Sequence, residues 1–193
     1  LDRLAGEVFK KREGLTMTAE ITRILISEAE IRSKVKELGE LITQDYKNKD
    51  LFVVGILKGS IIFLSDLIRE IPLPLQMDFM AVSSYGASTS TSGVVRILKD
   101  LEADIMSKDV LIVEDIVDTG LTLSYLKENL MTRSPASLKV CAFLDKPGRR
   151  RVPLVPDYNG YEIPDEFVVG YGLDYNEEFR NLPYVAVIET KSG

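Results

Sequence analysis

Leu51 to Leu57 reads LFVVGIL, seven residues without a charge, and Asp109 to Glu114 reads DVLIVE, with four apolar residues in a row. Runs of this length without polar alternation suit strands buried on both faces. Each is followed by a short break and then by apolar residues at helical spacing. Lys58-Gly59-Ser60 leads into Ile61, Ile62, Leu64, Leu67 and Ile68, with Pro72 ending the helix. An acidic turn after Glu114 leads into a second helix expected from about Thr119 to Leu130. Further strands are expected at Asp78 to Ser83, Leu138 to Asp145, Phe167 to Tyr171 and Tyr184 to Glu189. The first clear element is a helix opening at Ser27, where Ser27-x-x-Glu30 forms a capping box ahead of Ile31, Val35, Leu38 and Ile42. Strands alternating with helices imply an α/β fold with an open, mostly parallel sheet and helices on both faces. In that architecture ligands bind outside the carboxyl ends of the strands.

With 193 residues the expectation is a single domain over 1–193. No apolar run approaches the length of a membrane span, no secretory signal is read at the start, and Cys141 lies alone inside LKVCAFLD, so a cytoplasmic location and no membrane partner are expected. The net charge of −6 argues against a nucleic-acid partner. Arg149-Arg150-Arg151 is a local exception, which reads equally well as a solvated loop or as a contact for a phosphorylated small molecule. The chain has no histidine, which removes imidazole bases, Ser-His-Asp triads and histidine metal ligands. Any metal is then held by oxygen, which points to magnesium or a similar hard ion.

The chemistry concentrates in LIVEDIVDTGLTL, Leu111 to Leu123. Glu114, Asp115 and Asp118 crowd the end of an apolar run, and two like charges about 4 Å apart cost on the order of 4 kcal/mol at an effective dielectric near 20. A ligand or a cation has to compensate. Asp118-Thr119-Gly120-Leu121-Thr122 runs into a helix start, where backbone amides, hydroxyls and the helix dipole favour an anion such as phosphate. The acids repel phosphate, so they serve another part of the ligand, and sugar hydroxyls suit them as donors. Residues 83–93, small, polar and carrying Tyr85, read as a flexible lid loop.

LIVEDIVDTGLTL resembles the phosphoribosyl pyrophosphate motif of the type I phosphoribosyltransferases. From about Leu25 to Glu189 the order of GILKGS, SSYG, the acidic motif, LDKP and FVVGYGLDYNEEFRNLP is similar to that of the hypoxanthine-guanine phosphoribosyltransferases, bacterial-like at Asp145-Lys146-Pro147. The resemblance implies the fold of that family, with a small hood from roughly 1–25 and 146–193. It also implies a purine-salvage glycosyltransferase that moves the phosphoribosyl group of phosphoribosyl pyrophosphate to N9 of hypoxanthine or guanine, with Mg2+ as cofactor and a homo-dimer or homo-tetramer as assembly.

The implied roles follow the motif. Glu114 and Asp115 hold the ribose hydroxyls, directly or through metal; Asp118 is the catalytic acid or base at purine N7. Amides and hydroxyls of Asp118, Thr119, Gly120, Leu121 and Thr122 cradle the 5-phosphate, and Leu57, Lys58 and Gly59 form a pyrophosphate loop that often has a cis peptide at its first bond. Lys146 donates to the 6-oxo group, Phe167 stacks on the purine and the Val168 backbone reads its edge. Asp174 binds magnesium on the pyrophosphate, which Arg180 also contacts, and Ser84 and Tyr85 close over the centre. Two rivals stand beside this reading. GILKGS superficially resembles a nucleotide-hydrolase phosphate loop, but its Lys and Gly are in the wrong order. A non-catalytic regulator on the same fold would present a basic face, whereas this chain is acidic.

Overall fold

The structure, a computed structural model, describes residues 17–84 and 95–192. Its elements in chain order are β1 (Met17–Ile26), α1 (Glu28–Asp45), β2 (Leu51–Leu57), α2 (Ile61–Arg69), β3 (Gln76–Ser84), β4 (Val95–Lys99), β5 (Asp109–Val117), α3 (Leu121–Met131), β6 (Ser137–Asp145), β7 (Tyr158–Glu162), β8 (Val168–Val169) and β9 (Val185–Ser192). Six strands form the main sheet in the order β4-β3-β2-β5-β6-β7. All neighbours are parallel except β3 and β4.

Both faces of this sheet are buried, as the two apolar runs require. Val53, Leu111, Val113 and Phe143 pack with Val35 and Leu38 of α1 and with Phe63, Leu64 and Leu67 of α2. Phe52, Val54, Val110, Ile112 and Val140 pack with Leu123, Leu126 and Leu130 of α3. Burying one such side chain contributes about 1.5–3 kcal/mol. The capping box at α1 is complete: Ser27 N–H donates to the Glu30 carboxylate at 2.8 Å and Glu30 N–H to Ser27 Oγ at 3.4 Å.

Chain direction places the site. From β2 the chain passes through α2 to β3 on one side, whereas β5 lies on the other side of β2 and continues through α3 to β6. The boundary between β2 and β5 is therefore the topological switch point, where the loops after the two strands part and leave a crevice.

Several expected elements differ. β5 runs on to Val117 because β6 pairs with it to the end, Val117 opposite Asp145, so Asp115, expected in the turn, is a strand residue like Glu114. α3 opens at Leu121, since Gly120 has φ +79° and cannot be helical. The strand expected at Phe167 to Tyr171 is only Val168–Val169, ended by positive φ at Gly170, Tyr171 and Gly172. It belongs to a separate antiparallel sheet of order β1-β9-β8. β1 went unrecognised because register shifts after Ile21 and Ile24 break its alternation. Of the segments expected to form a hood, 1–16 lie outside the described residues, and β7, within 146–193, pairs with β6 in the main sheet instead. The lid expected at 83–93 falls outside them from Tyr85 onward; Ser83 and Ser84 end β3, opposite Arg96 and Val95.

Candidate active site

At the switch point the loop after β2 packs against the end of β5. After β2 the Leu57–Lys58 peptide is cis, and Gly59 follows. The Asp115 carboxylate packs onto Gly59 so closely that a Cβ there would stand 1.6 Å from Oδ2. Gly172, at φ +104°, closes on Gly59 as well, since its own Cβ would meet the Gly59 carbonyl oxygen at 2.0 Å. Arg180 Nη1 donates to the Gly172 carbonyl at 2.7 Å, and Nη2 lies 2.7 Å from Asp174 Oδ1. Asp174 also accepts from Glu177 N–H at 2.9 Å, and Lys58 Nζ pairs with Glu177 at 2.9 Å. Lys58 and Arg180 thus meet around one glycine-lined loop, each paired with an acid of the segment 174–177.

The acids of β5 carry the electrostatic tension of the site. Glu114 Oε2 is shielded from solvent and has no hydrogen-bond partner. Burial, with the Asp115 charge beside it, pushes the Glu114 carboxyl well above the usual range. Asp115 is raised to about 6, chiefly by burial, with hydrogen bonds from backbone amides and the Arg180 charge opposing the rise. Such a pair favours a bound cation or hydroxyl donors. Among the described residues there is no group of three or more His, Cys, Asp or Glu side chains able to hold a metal. A metal here would take one or two carboxylates and complete its shell from substrate oxygens and water, which is the habit of magnesium rather than of a closed protein cage.

Beyond β5 the chain turns through Asp118 and Thr119 to Gly120, which stands at the N-cap of α3 and supplies no side chain to it. Thr119 Oγ1 accepts from Leu121 N–H at 3.4 Å. The Thr122 amide, in the first turn of α3, has no intrahelical acceptor and lies at the positive end of the helix dipole.

At the other end of the crevice Lys146 is 8% exposed and donates from Nζ to the Glu166 carbonyl at 2.7 Å. Phe167, an aromatic next to a strand, is 53% exposed rather than in the core and meets Tyr175 edge to face at 5.7 Å. Its neighbour Val168 is held in β8 against Val187. Lys146 and Phe167 belong to different segments, and the Lys146 bond to Glu166 brings them together.

Asp118 is not free. Arg149 Nε lies 2.7 Å from its Oδ1, an ionic contact without a directed hydrogen bond, and Arg149 Nη1 also reaches Asp165 at 3.1 Å. Asp165 in turn stands 3.8 Å from Lys146 Nζ. Arg150 is bound to the buried Asp145 and donates to the Asp118 carbonyl at 2.6 Å. The three arginines thus include two that turn inward onto the acidic loop. Their position directly after the end of β6, at the ligand side of the sheet, was the available signal. Gly172, Asp165 and Glu177 also went unnoticed, and only long-range contact reveals them.

Comparison with known proteins agrees with this geometry. Residues 17–176 match the phosphoribosyl transferase domain. A protein of Mycobacterium avium named hypoxanthine-guanine phosphoribosyltransferase is 51% identical over 178 residues, covering 89% of this chain and 88% of that protein. The protein of the same name from Bacillus subtilis is 51% identical over 173 residues, covering 90% of this chain and 96% of that one. The crystal structure of a hypoxanthine phosphoribosyltransferase from Staphylococcus aureus superposes with a TM-score of 0.85 at 50% identity, covering 88% of this chain and 92% of that chain. A sheet whose switch point joins the LKGS and EDIVDTG loops, together with these likenesses, shows that the chain belongs to the phosphoribosyltransferase family, alongside the hypoxanthine-guanine phosphoribosyltransferases.

Proposed function

We propose that this protein transfers the phosphoribosyl group of phosphoribosyl pyrophosphate to N9 of hypoxanthine or guanine, releasing pyrophosphate and a purine nucleoside monophosphate. The observation that carries the reading is the convergence, at the β2/β5 switch point, of the Lys58-Gly59 loop, the unpartnered Glu114 Oε2 and the start of α3. These correspond in order to a pyrophosphate site, a ribose site and a 5-phosphate site.

In this mechanism the Leu57-Lys58-Gly59 loop and Arg180 stabilise charge building on the departing pyrophosphate. Thr119, Gly120, Leu121 and Thr122 hold the 5-phosphate, and Glu114 and Asp115 accept the ribose hydroxyls. Asp118 holds or delivers the proton at purine N7 while N9 bonds to the sugar carbon, so its present contact with Arg149 has to yield to the base. Lys146 donates to the 6-oxo group, which disfavours a 6-amino purine; Phe167 stacks on the ring and the Val168 backbone reads its edge. Magnesium fits the orphaned Glu114 oxygen with Asp115, and Asp174 on the pyrophosphate side; when bound it supplies neutralisation of the diphosphate charge. The Ser84-Tyr85 segment serves as the lid that keeps water from the activated sugar. The β1-β9-β8 sheet serves as the hood over the base, the chain works in the cytoplasm without nucleic-acid or membrane partners, and it assembles as a homo-dimer or homo-tetramer.

Turnover of hypoxanthine and of guanine with phosphoribosyl pyrophosphate, with and without magnesium, tests the reading. Nucleoside monophosphate formed only with magnesium is the expected result. Tight binding of phosphoribosyl pyrophosphate without turnover would instead favour the regulatory reading.

A further inference from the structure

Three successive carbonyls, the last of β5 and the first two of the loop after it, are held by the segment that follows β6. Val117 O accepts from Lys146 N–H at 2.9 Å, Asp118 O from Arg150 Nη1 at 2.6 Å and Thr119 O from Arg151 N–H at 2.9 Å. All three donors come from the short turn that follows β6. A trans peptide is planar, and its N–H points opposite to its C=O. Pulling the Asp118 and Thr119 carbonyls toward that turn therefore turns the amides of Thr119 and Gly120 away from it, toward the crevice. Successive amides aimed at one point make an anion-binding concavity.

The Arg150 contact differs from the other two because a side chain makes it. Arg150 engages the loop through Nη1 and the buried carboxylate of Asp145 through Nη2, so both terminal nitrogens are occupied. Asp145 is 4% exposed and leaves the guanidinium little choice of position. The Arg150 Cδ also lies 3.0 Å from where a Gly120 Cβ would stand, which fills the space behind the loop.

We infer that the Asp145–Arg150 pair is a positioning device that aims the Thr119 and Gly120 amides at the phosphate monoester of the substrate. The inference rests on the assignment of this loop to the 5-phosphate. Arg150 itself does not touch the ligand. A lysine at 150 keeps the charge beside Asp145 but cannot fork to the Asp118 carbonyl as well, which separates the orienting role from the buried pair itself.

The test is calorimetric titration of wild type and Arg150→Lys with two probes, ribose 5-phosphate for the amide loop and inorganic pyrophosphate for the Lys58 loop. Arg150→Lys is expected to weaken ribose 5-phosphate about tenfold, the scale of one lost charge-assisted hydrogen bond, and pyrophosphate less than twofold. In steady state the same variant raises KM for phosphoribosyl pyrophosphate and leaves KM for the base unchanged. Ribose 5-phosphate affinity within twofold of wild type overturns the inference, as do equal losses for both probes or a wild type that does not bind ribose 5-phosphate. Should Arg150→Lys lose its fold, Asp145→Asn/Arg150→Gln, which removes both charges together, carries the same comparison. A wild type that binds ribose 5-phosphate but makes no nucleotide refutes the catalytic reading and leaves the positioning result standing.

Discussion

Gly59 carries the Asp115 carboxylate where any other residue would carry a side chain. The space for a Cβ at Gly59 ends 1.6 Å from Asp115 Oδ2 and 2.6 Å from its Cγ, and Gly172 packs so closely on the Gly59 carbonyl that its own Cβ would stand 2.0 Å from that oxygen. Gly59→Ala forces either Asp115 or the loop to move. A displacement of about 1 Å at a reacting centre costs on the order of 100-fold in rate, and overpacking costs about 1–3 kcal/mol of stability. Steady-state kinetics and thermal melts check this. An alanine variant with wild-type kcat would show that the contact is not part of the working geometry.

Asp118 is paired with Arg149 at 2.7 Å. Both side chains are about two-fifths exposed, so the pair adds about 1 kcal/mol or less to stability. Asp118→Asn is therefore expected to leave the melting temperature within a few degrees while lowering kcat by about 10²–10⁴-fold, with little change in phosphoribosyl pyrophosphate binding. Equal losses in turnover and in binding would refute a role in proton transfer.

Lys146 is buried with its ammonium on the Glu166 carbonyl, poised one residue from Phe167. Truncation to alanine removes the donor proposed above for a 6-oxo group. The ratio of kcat/KM for hypoxanthine over adenine is expected to fall by about tenfold or more, because a site that donates to an oxygen rejects a purine that cannot accept. Competition between the two bases measures it, and an unchanged ratio rules the assignment out.

The raised carboxyls of Glu114 and Asp115 give a signed pH effect. An acid whose folded pKa lies above its unfolded value stabilises the fold below the unfolded value and loses that contribution as pH rises through the folded one. For Asp115 the window runs from its ordinary 3.8 to about 6; for Glu114 it begins at 4.5 and extends upward. Without magnesium, melting temperatures are expected to decline across this window relative to Glu114→Gln, which lacks the titrating group. With magnesium held by the ionised pair, as proposed above, its stabilising shift should be larger at pH 7.5 than at pH 5. Equal magnesium shifts at the two pH values would place the ion elsewhere.

Much of this was legible from local pattern. The continuous apolar runs LFVVGIL and VLIV announced strands covered on both faces, and α1, α2 and α3 cover them. Ser27 and Glu30 announced a helix start, and both arms of the capping box are formed. Such signals survive because they depend on residues a few positions apart. β1, β4 and β7 were not anticipated: β1 is bulged, β7 contains Gly160 amid polar residues, and β4 is a half-exposed strand of only five residues.

Residue type and spacing alone placed the acids beside an amide-rich helix start, because a strand of buried residues ending in carboxylates leaves them nowhere to go but the sheet's ligand-binding edge. What remained for tertiary structure was who touches whom: Asp115 on Gly59, Gly172 against the Gly59 carbonyl, Arg149 on the Asp118 carboxylate and Arg150 on the Asp118 carbonyl. Each of these joins segments whose approach is set by strand order and by loop closure, and that geometry arises only when β2, β5 and β6 lie side by side.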